Sequence, residues 1–408
     1  MESPIPERPE AAKAPGRNPL EAIHTSVLLG SLSFGMLGFL LPIYGKRLGA
    51  SALEIGGLFT AFSIMTLVLR PLFGWAMDRY GRKPFFVAGL LAYAVAMAVF
   101  AGSASITGLY LGRIVQGVAS SLLWASAYTM ATELSKSGWG LAVGGVDQAM
   151  ARGGLYGSLA GFAVLMQFKF VTGLHILFAA YAGLAALAAW QAWQSTPETR
   201  GSRRTRVAGP HRSQVSGLAR RLAPLMAVVF LSGLASATTG PLILIFLQDH
   251  FTNSFGNIVW AYLPAALVSS YLPARLGRLS DRYGRSHLMA LGLAGSGLVS
   301  LLLPWLPSLG WLAVVWALQA VGLAAASPAQ EALVADLTGT EARGTGYGLY
   351  QFASSVGLVL GPLVGGWLYD ARGQAFPFYL GGGLLLFATV LTLVWVGQRA
   401  SGSRPASA

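Results

Sequence analysis

Apolar residues run through this chain in long, nearly uninterrupted stretches. Twelve stand out, over residues 22–44, 53–76, 84–103, 107–131, 140–167, 171–193, 223–248, 256–276, 286–305, 309–334, 345–369 and 375–397. A helix rises 1.5 Å per residue, so each stretch is long enough to cross a ~30 Å hydrocarbon layer. The polar intervals are short except for 194–222. The pattern predicts an all-α membrane protein of twelve transmembrane helices in two six-helix halves. The predicted boundaries are a tail over 1–21, bundles over 22–193 and 223–397, a basic linker over 194–222, and a second tail over 398–408.

Composition agrees with that reading. Hydrophobic residues make up 54% of the chain and charged residues only 11%, against ~25% charged in soluble domains. The 52 glycines suit helices packed closely in lipid. There is no cysteine, which excludes disulfides and thiolate metal sites, and the five histidines form no ligand pair at helical spacing. No metal or cofactor is expected.

The net charge of +13 reads as topology rather than as nucleic-acid binding. With both termini cytoplasmic, only four of the 28 Lys and Arg fall outside (Lys46, Arg47, Lys169, Arg372), and two lie well inside spans (Arg113, Arg152). The rest cluster on the inner side, as the positive-inside rule requires. This predicts a multi-pass protein of the cell inner membrane. The first 21 residues are Pro-rich and lack the apolar core of a signal peptide, so they read as a disordered cytoplasmic tail. The linker holds seven Arg and one acid, Glu198, and is expected to touch anionic lipid headgroups.

Two charged loops carry the chemistry. Gly74-Trp75-Ala76-Met77-Asp78-Arg79-Tyr80-Gly81-Arg82 recurs 203 positions later as Gly277-Arg278-Leu279-Ser280-Asp281-Arg282-Tyr283-Gly284-Arg285. Each lies between two apolar runs, so the chain reads as two related bundles in tandem. The first glycine of each loop lets a helix approach, and the second permits a turn that glycine adopts cheaply. Glu133 and Asp336, also 203 apart, follow the fourth and tenth spans. The expected ion pairs are Arg82 with Glu133 and Arg285 with Asp336, while Arg79 and Arg282 anchor the loops at headgroups.

This repeat resembles the loops between helices 2 and 3, and 8 and 9, of the major facilitator superfamily of transporters, and the resemblance spans all twelve segments. Two further elements are similar to that family's motifs. Span 4 carries Arg113, Gln116 and Gly117 on one face, in the form R-x-x-Q-G, and Gln319 stands 203 positions after Gln116. Span 11 carries Gly357, Gly361, Pro362 and Gly365 in a G-P-x-x-G-G element, which reads as a packing stripe with a hinge. In drug–proton antiporters that element belongs on span 5. Here Gly153, Gly157 and Gly161 keep the small-residue spacing there without the proline. Span 1 holds no acid.

The resemblance implies alternating access by a monomer, with Asp78 latching against the start of span 11 to stabilise an outward-facing state. No ATP-binding loop of the form G-x-x-x-x-G-K-[ST] occurs, so the energy would come from an ion or substrate gradient. The expected function is secondary, proton-coupled efflux of small amphipathic molecules by a drug-efflux branch of the family.

The embedded polar residues offer the candidate site. On insertion scales an arginine at the centre of a span costs ~2.5–3.5 kcal/mol, so such residues normally face a cavity or a partner. Asp147 lies about 11 Å into span 5 and Arg152 about 18 Å. Arg113, Arg152, Gln116, Gln148 and Gln319 are the candidate substrate contacts, and Asp147 is the candidate proton-exchanging carboxylate. Gln148, Arg152 and Tyr156 share a stripe, whereas Asp147 and Arg152 point about 140° apart. An organic anion drawn by Arg113 and Arg152 is the alternative substrate, and a non-transporting receptor or scaffold is a second alternative. Trp124 and Tyr128 read as lipid or core contacts, Glu54 and Asp249 as outer residues facing water, and Glu331 as a weaker candidate near the cytoplasmic end. The run Ser236 to Pro241 is expected to break span 7.

Overall fold

A computed structural model describes residues 18–135, 139–199, 212–338 and 342–402. Most of the expected N-terminal tail, the centre of the linker (200–211) and the last six residues lie outside these. The first half contains α1 (Pro19–Gly30), α2 (Phe34–Arg47), α3 (Ala52–Tyr80), α4 (Lys83–Gly102), α5 (Ile106–Leu134), α6 (Trp139–Gln167) and α7 (Phe170–Ser195). The second contains α8 (Arg212–Thr239), α9 (Leu242–His250), α10 (Phe255–Tyr271), α11 (Pro273–Tyr283), α12 (Arg285–Leu302), α13 (Leu309–Thr338), α14 (Arg343–Arg372) and α15 (Phe376–Gly402).

Among the described residues, ten segments are long and apolar enough to cross a membrane, with α1–α2 and α8–α9 each counted as one. The α10–α11 pair, bent by 57°, makes an eleventh. The bend falls at Pro273, which heads α11. The remaining expected span is α6, a helix of 29 residues that is not among these apolar segments. It carries Asp147, Arg152 and several small or polar residues in place of bulky apolar ones.

Helices extend further into the polar intervals than hydropathy predicts. Helix α1 starts at Pro19, α8 at Arg212, and α15 reaches Gly402. The Asn18 side chain accepts from the Leu20 amide at 3.2 Å, and Pro19 fits the first helical position. A cap therefore sets the start of α1, whatever the hydropathy of the residues it leads in.

Each half presses its fifth helix against a broken first helix. Span 7 breaks between Thr239 and Leu242, within the expected run. Span 1 breaks at residues 31–33, while Pro42 stays inside α2. On α6, a Cβ added to Gly153 or Gly157 would fall on the Leu28 or Leu32 carbonyl. On α14, one added to Gly357 would sit 2.6 Å from the Leu234 amide nitrogen, and one on Gly361 2.8 Å from the Leu234 carbonyl oxygen. Glycines spaced by four thus bring backbone onto backbone in both halves.

The repeated loops mark one end of the molecule, and at the opposite, far end the two halves meet. Thr60 donates to the Val359 carbonyl at 2.8 Å. Asp370, at the end of α14, accepts from the Ala52 and Leu53 amides at 3.1 and 2.8 Å and so caps α3. Asp249 forms an ion pair with Lys46 and accepts from the Tyr369 hydroxyl at 2.7 Å. It does not simply face water, because the converging ends of α2, α9 and α14 supply partners. Phe39 and Phe162 pack on Tyr262 across the halves, with centroids 4.9 and 6.5 Å away.

Candidate functional site

A cavity of about 600 Å³ lies between α3, α5, α6 and α14, from mid-molecule towards the loop end. Helical spacing builds its walls. Phe62, Thr66 and Arg70 come every fourth residue along α3; Trp124, Tyr128 and Thr132 do the same on α5, and Tyr347, Gln351 and Ser355 on α14. Asp147 reaches in from α6, and the Tyr128 hydroxyl donates to its Oδ1 at 2.5 Å. Arg70 lies within electrostatic reach of the Tyr128 and Tyr347 hydroxyls. Glu331 on α13 lies within electrostatic range of Tyr350 and of Asp147. Phe34 packs edge-on against Trp124 with centroids 5.4 Å apart, so one wall is aromatic.

Several candidates sit elsewhere than expected. Arg113 and Gln116 are buried, at 4% and 2% exposure, and line neither described cavity. The Arg113 guanidinium donates to Gln116 Oε1 at 2.9 Å and lies 4.2 Å above the Phe59 ring, so α5 and α3 hold it between them, although its buried Nε has no hydrogen-bond partner among the described residues. Arg152 and Gln148 are exposed and line neither cavity. Their angle from Asp147 on the helix turns them away when Asp147 faces inward. Arg113 and Arg152 therefore do not form a positive cavity wall. Trp124 and Tyr128 line the cavity rather than serving only as lipid or core contacts. Two lining residues lie outside the sequence-predicted set: Arg70, near the inner end of its span, where topology alone accounts for a positive charge, and Tyr347, which no motif marks. Four-residue spacing with Thr66 was the available signal for Arg70.

A second cavity, about 590 Å³, lies between α6, α10 and α13 and includes Gln319 and Trp316. It is the repeat mate of the first. Phe62, Thr66, Arg70, Ser120 and Trp124 of the first cavity correspond, 203 positions on, to Ala265, Ser269, Pro273, Leu323 and Ser327, all lining the second. Helix α14 crosses from the other half to complete the first cavity, and α6 crosses to complete the second. The charge and the tryptophan occur on these positions in the first cavity alone.

At the loop end, Arg82 lies 3.2 Å from Glu133 and 3.1 Å from Asp78. Arg285 lies 2.6 Å from Asp336 and 2.8 Å from Asp281. Gly81 and Gly284 have φ of +103° and +93°, the region glycine occupies most readily. Arg79 and Arg282 are exposed. Gly74 differs from expectation: no atom lies within 4 Å of a Cβ built there, so no helix presses on it, while Gly277 has only an ordinary 3.4 Å neighbour in Pro328. Asp78 pairs within its own loop through Arg82 and is exposed, rather than latched to α14. Glu198, beyond α7, accepts from the Arg82 and Lys83 amides at 2.9 and 3.1 Å. Helix α14 stays helical through Pro362, whose carbonyl meets Gly56 of α3.

Two tandem six-helix units with matching loops and mated cavities describe one family architecture, and the family model described as Major Facilitator Superfamily matches residues 23–272 and again 225–408. The chain belongs to the major facilitator superfamily. Members of this superfamily are transporters and not enzymes. The chain is 24% identical over 387 residues to multidrug resistance protein 1 of Bacillus subtilis (strain 168), covering 92% of this chain and 96% of that one. It is 24% identical over 365 residues to the class G tetracycline resistance protein of Vibrio anguillarum, covering 85% and 89%. Both relatives are named for drug resistance. A bacterial homologue of the human lysosomal transporter Spinster, solved inward-facing and occupied, shares the fold with a TM-score of 0.74 at 16% identity, covering 95% of this chain and 98% of that one.

Proposed function

We propose that this superfamily member exports small amphipathic molecules in exchange for protons, with Asp147 as the proton-exchanging carboxylate and the first cavity as the substrate site. The observation that carries this reading is Asp147 itself: an acid on a span, hydrogen-bonded to Tyr128, lining a cavity beside Arg70 and Tyr347. In a dry span such an acid is costly, and a cavity-facing position is where a transporter uses one. The drug-resistance names of the relatives favour efflux.

The loop end is read as cytoplasmic from the distribution of Lys and Arg, so the cavity faces inward and both termini lie inside, in the inner membrane of a cell. The two six-helix halves then rock about the site. Asp147 belongs to one half and Glu331 to the other. Closing the loop end drives these like charges together, and a proton or a cationic substrate relieves the repulsion. A proton moving down 100 mV supplies ~2.3 kcal/mol. The Asp78 latch to the start of α14 belongs to the opposite, outward-facing state. The basic linker rests on anionic headgroups, and the unit is a monomer.

The test is transport in proteoliposomes loaded with a pH-sensitive dye. A cationic amphiphile should drive proton release with the native chain, and Asp147→Asn should abolish it while membrane insertion stays normal. Proton release that persists in the variant removes Asp147 from the role.

A further inference from the structure

We infer that the first cavity selects aromatic zwitterions, holding an anionic group at Arg70 and a cationic group at Asp147. This deepens the substrate-site reading above and rests on it.

The arginines along the spans and loops differ in their partners. Arg113 has Gln116 and the Phe59 ring. Arg82 and Arg285 each have two carboxylates. Arg70 also lies on a membrane-crossing helix, yet among the described residues no carboxylate forms an ion pair with it. The titratable groups within electrostatic range of it are the neutral phenols of Tyr93, Tyr128 and Tyr347. A guanidinium has five donors and no acceptor, and its planar fork matches a carboxylate. Arg70 therefore presents an anion-binding group to the cavity it lines.

Asp147 provides the opposite pole. Tyr128 satisfies one of its oxygens, which leaves acceptor capacity for a cation, and Glu331 adds a second negative charge nearby. Between the poles stand Phe34, Phe62, Trp124 and Tyr347, whose rings suit a flat aromatic body. The scaffold does not require this arrangement, because the mated cavity has Pro273 where Arg70 stands and Ser327 where Trp124 stands. A ligand carrying one charge leaves one pole unanswered, whereas a zwitterion answers both.

Three dyes built on related three-ring xanthene cores separate the cases: rhodamine B (zwitterion), its ethyl ester (cation) and fluorescein (anion). Binding to the purified full chain is read by fluorescence anisotropy, and transport with proton release in proteoliposomes. Rhodamine B should bind about tenfold or more tighter than either single-charge dye, the scale of one charged hydrogen-bonded contact. Arg70→Gln should bring the ratio of rhodamine B to ester affinity to about one, and Arg70→Lys should keep most of the preference. Asp147→Asn should bring rhodamine B down to the level of fluorescein. Equal affinity of the native chain for rhodamine B and its ester, or no binding of any dye, overturns the inference. Ester transport with proton release but no zwitterion preference leaves efflux standing and removes the zwitterion site. A zwitterion preference in binding without any transport does the reverse.

Discussion

Arg70 and Arg113 sit on neighbouring helices in different surroundings: Arg70 lines the first cavity and Arg113 does not. Arg113 is enclosed by Gln116 and aromatic rings of α3, so its side chain joins two helices. Arg113→Ala should lower thermal stability in detergent by about 2 kcal/mol, the usual scale for a lost buried interaction, and leave the dye preference in place. A shift in preference would return Arg113 to the site. The two loop glycines give a second contrast at this scale. Gly81→Ala forces a side chain onto a φ of +103° and should destabilise by about 1–2 kcal/mol. Gly74→Ala meets open space inside a helix and should be neutral or stabilising by about 0.5–1 kcal/mol. Melting curves of the two variants test this directly.

Among the elements, the helices themselves were legible because hydrocarbon demands long apolar runs. Gly81 and Gly284 were legible because a positive φ restricts residue choice, whereas the close approach expected at Gly74 and Gly277 was not. The break in span 7 was announced by Gly240 and Pro241, but the break in span 1, around Ser31 and Ser33, carries no proline. It follows from the α6 glycines that press on it, a tertiary cause that local sequence does not display. Which face of a span meets the cavity was legible only by phase. Arg152 was read by depth, and its angle from Asp147 already pointed it elsewhere. Trp124 and Tyr128 show the remaining gap: an aromatic ring suits lipid, core and cavity alike, so only the packing of α5 against α3, α4 and α6 decides. Packing also supplies a prediction here. Gly366 lies so close to α3 that an added Cβ would stand 2.5 Å from the Ala52 carbonyl. Gly366→Val should push α14 from α3 at the far end, and spin-label distances across that end should lengthen in a larger fraction of molecules.

For the molecule as a whole, the far end is fastened by few polar contacts. Lys46 and Asp249 stand 203 residues apart, at matching positions of the two halves, and meet across their boundary. Partly exposed ion pairs are worth at most about 1 kcal/mol, so this one biases the conformational balance without locking it. Lys46→Ala should shift the ratio of far-end-closed to far-end-open molecules by roughly two- to fivefold, readable in the same spin-label distances. No shift would mean that the Thr60 and Asp370 contacts and the aromatic cluster hold that end without it.

The mated cavities carry a consequence for how a load moves. Arg70, Tyr128 and Asp147 all ride on the first half, and α14 brings Tyr347, Gln351 and Ser355, which carry no charge, from the second. The repeat presents two berths, and only one of them carries these charges. If Arg70 and Asp147 hold the cargo as inferred, it stays with the first half through the whole swing. The second half works as a door that opens on one side and then the other, passing over a passenger that scarcely moves in the frame of its own carrier.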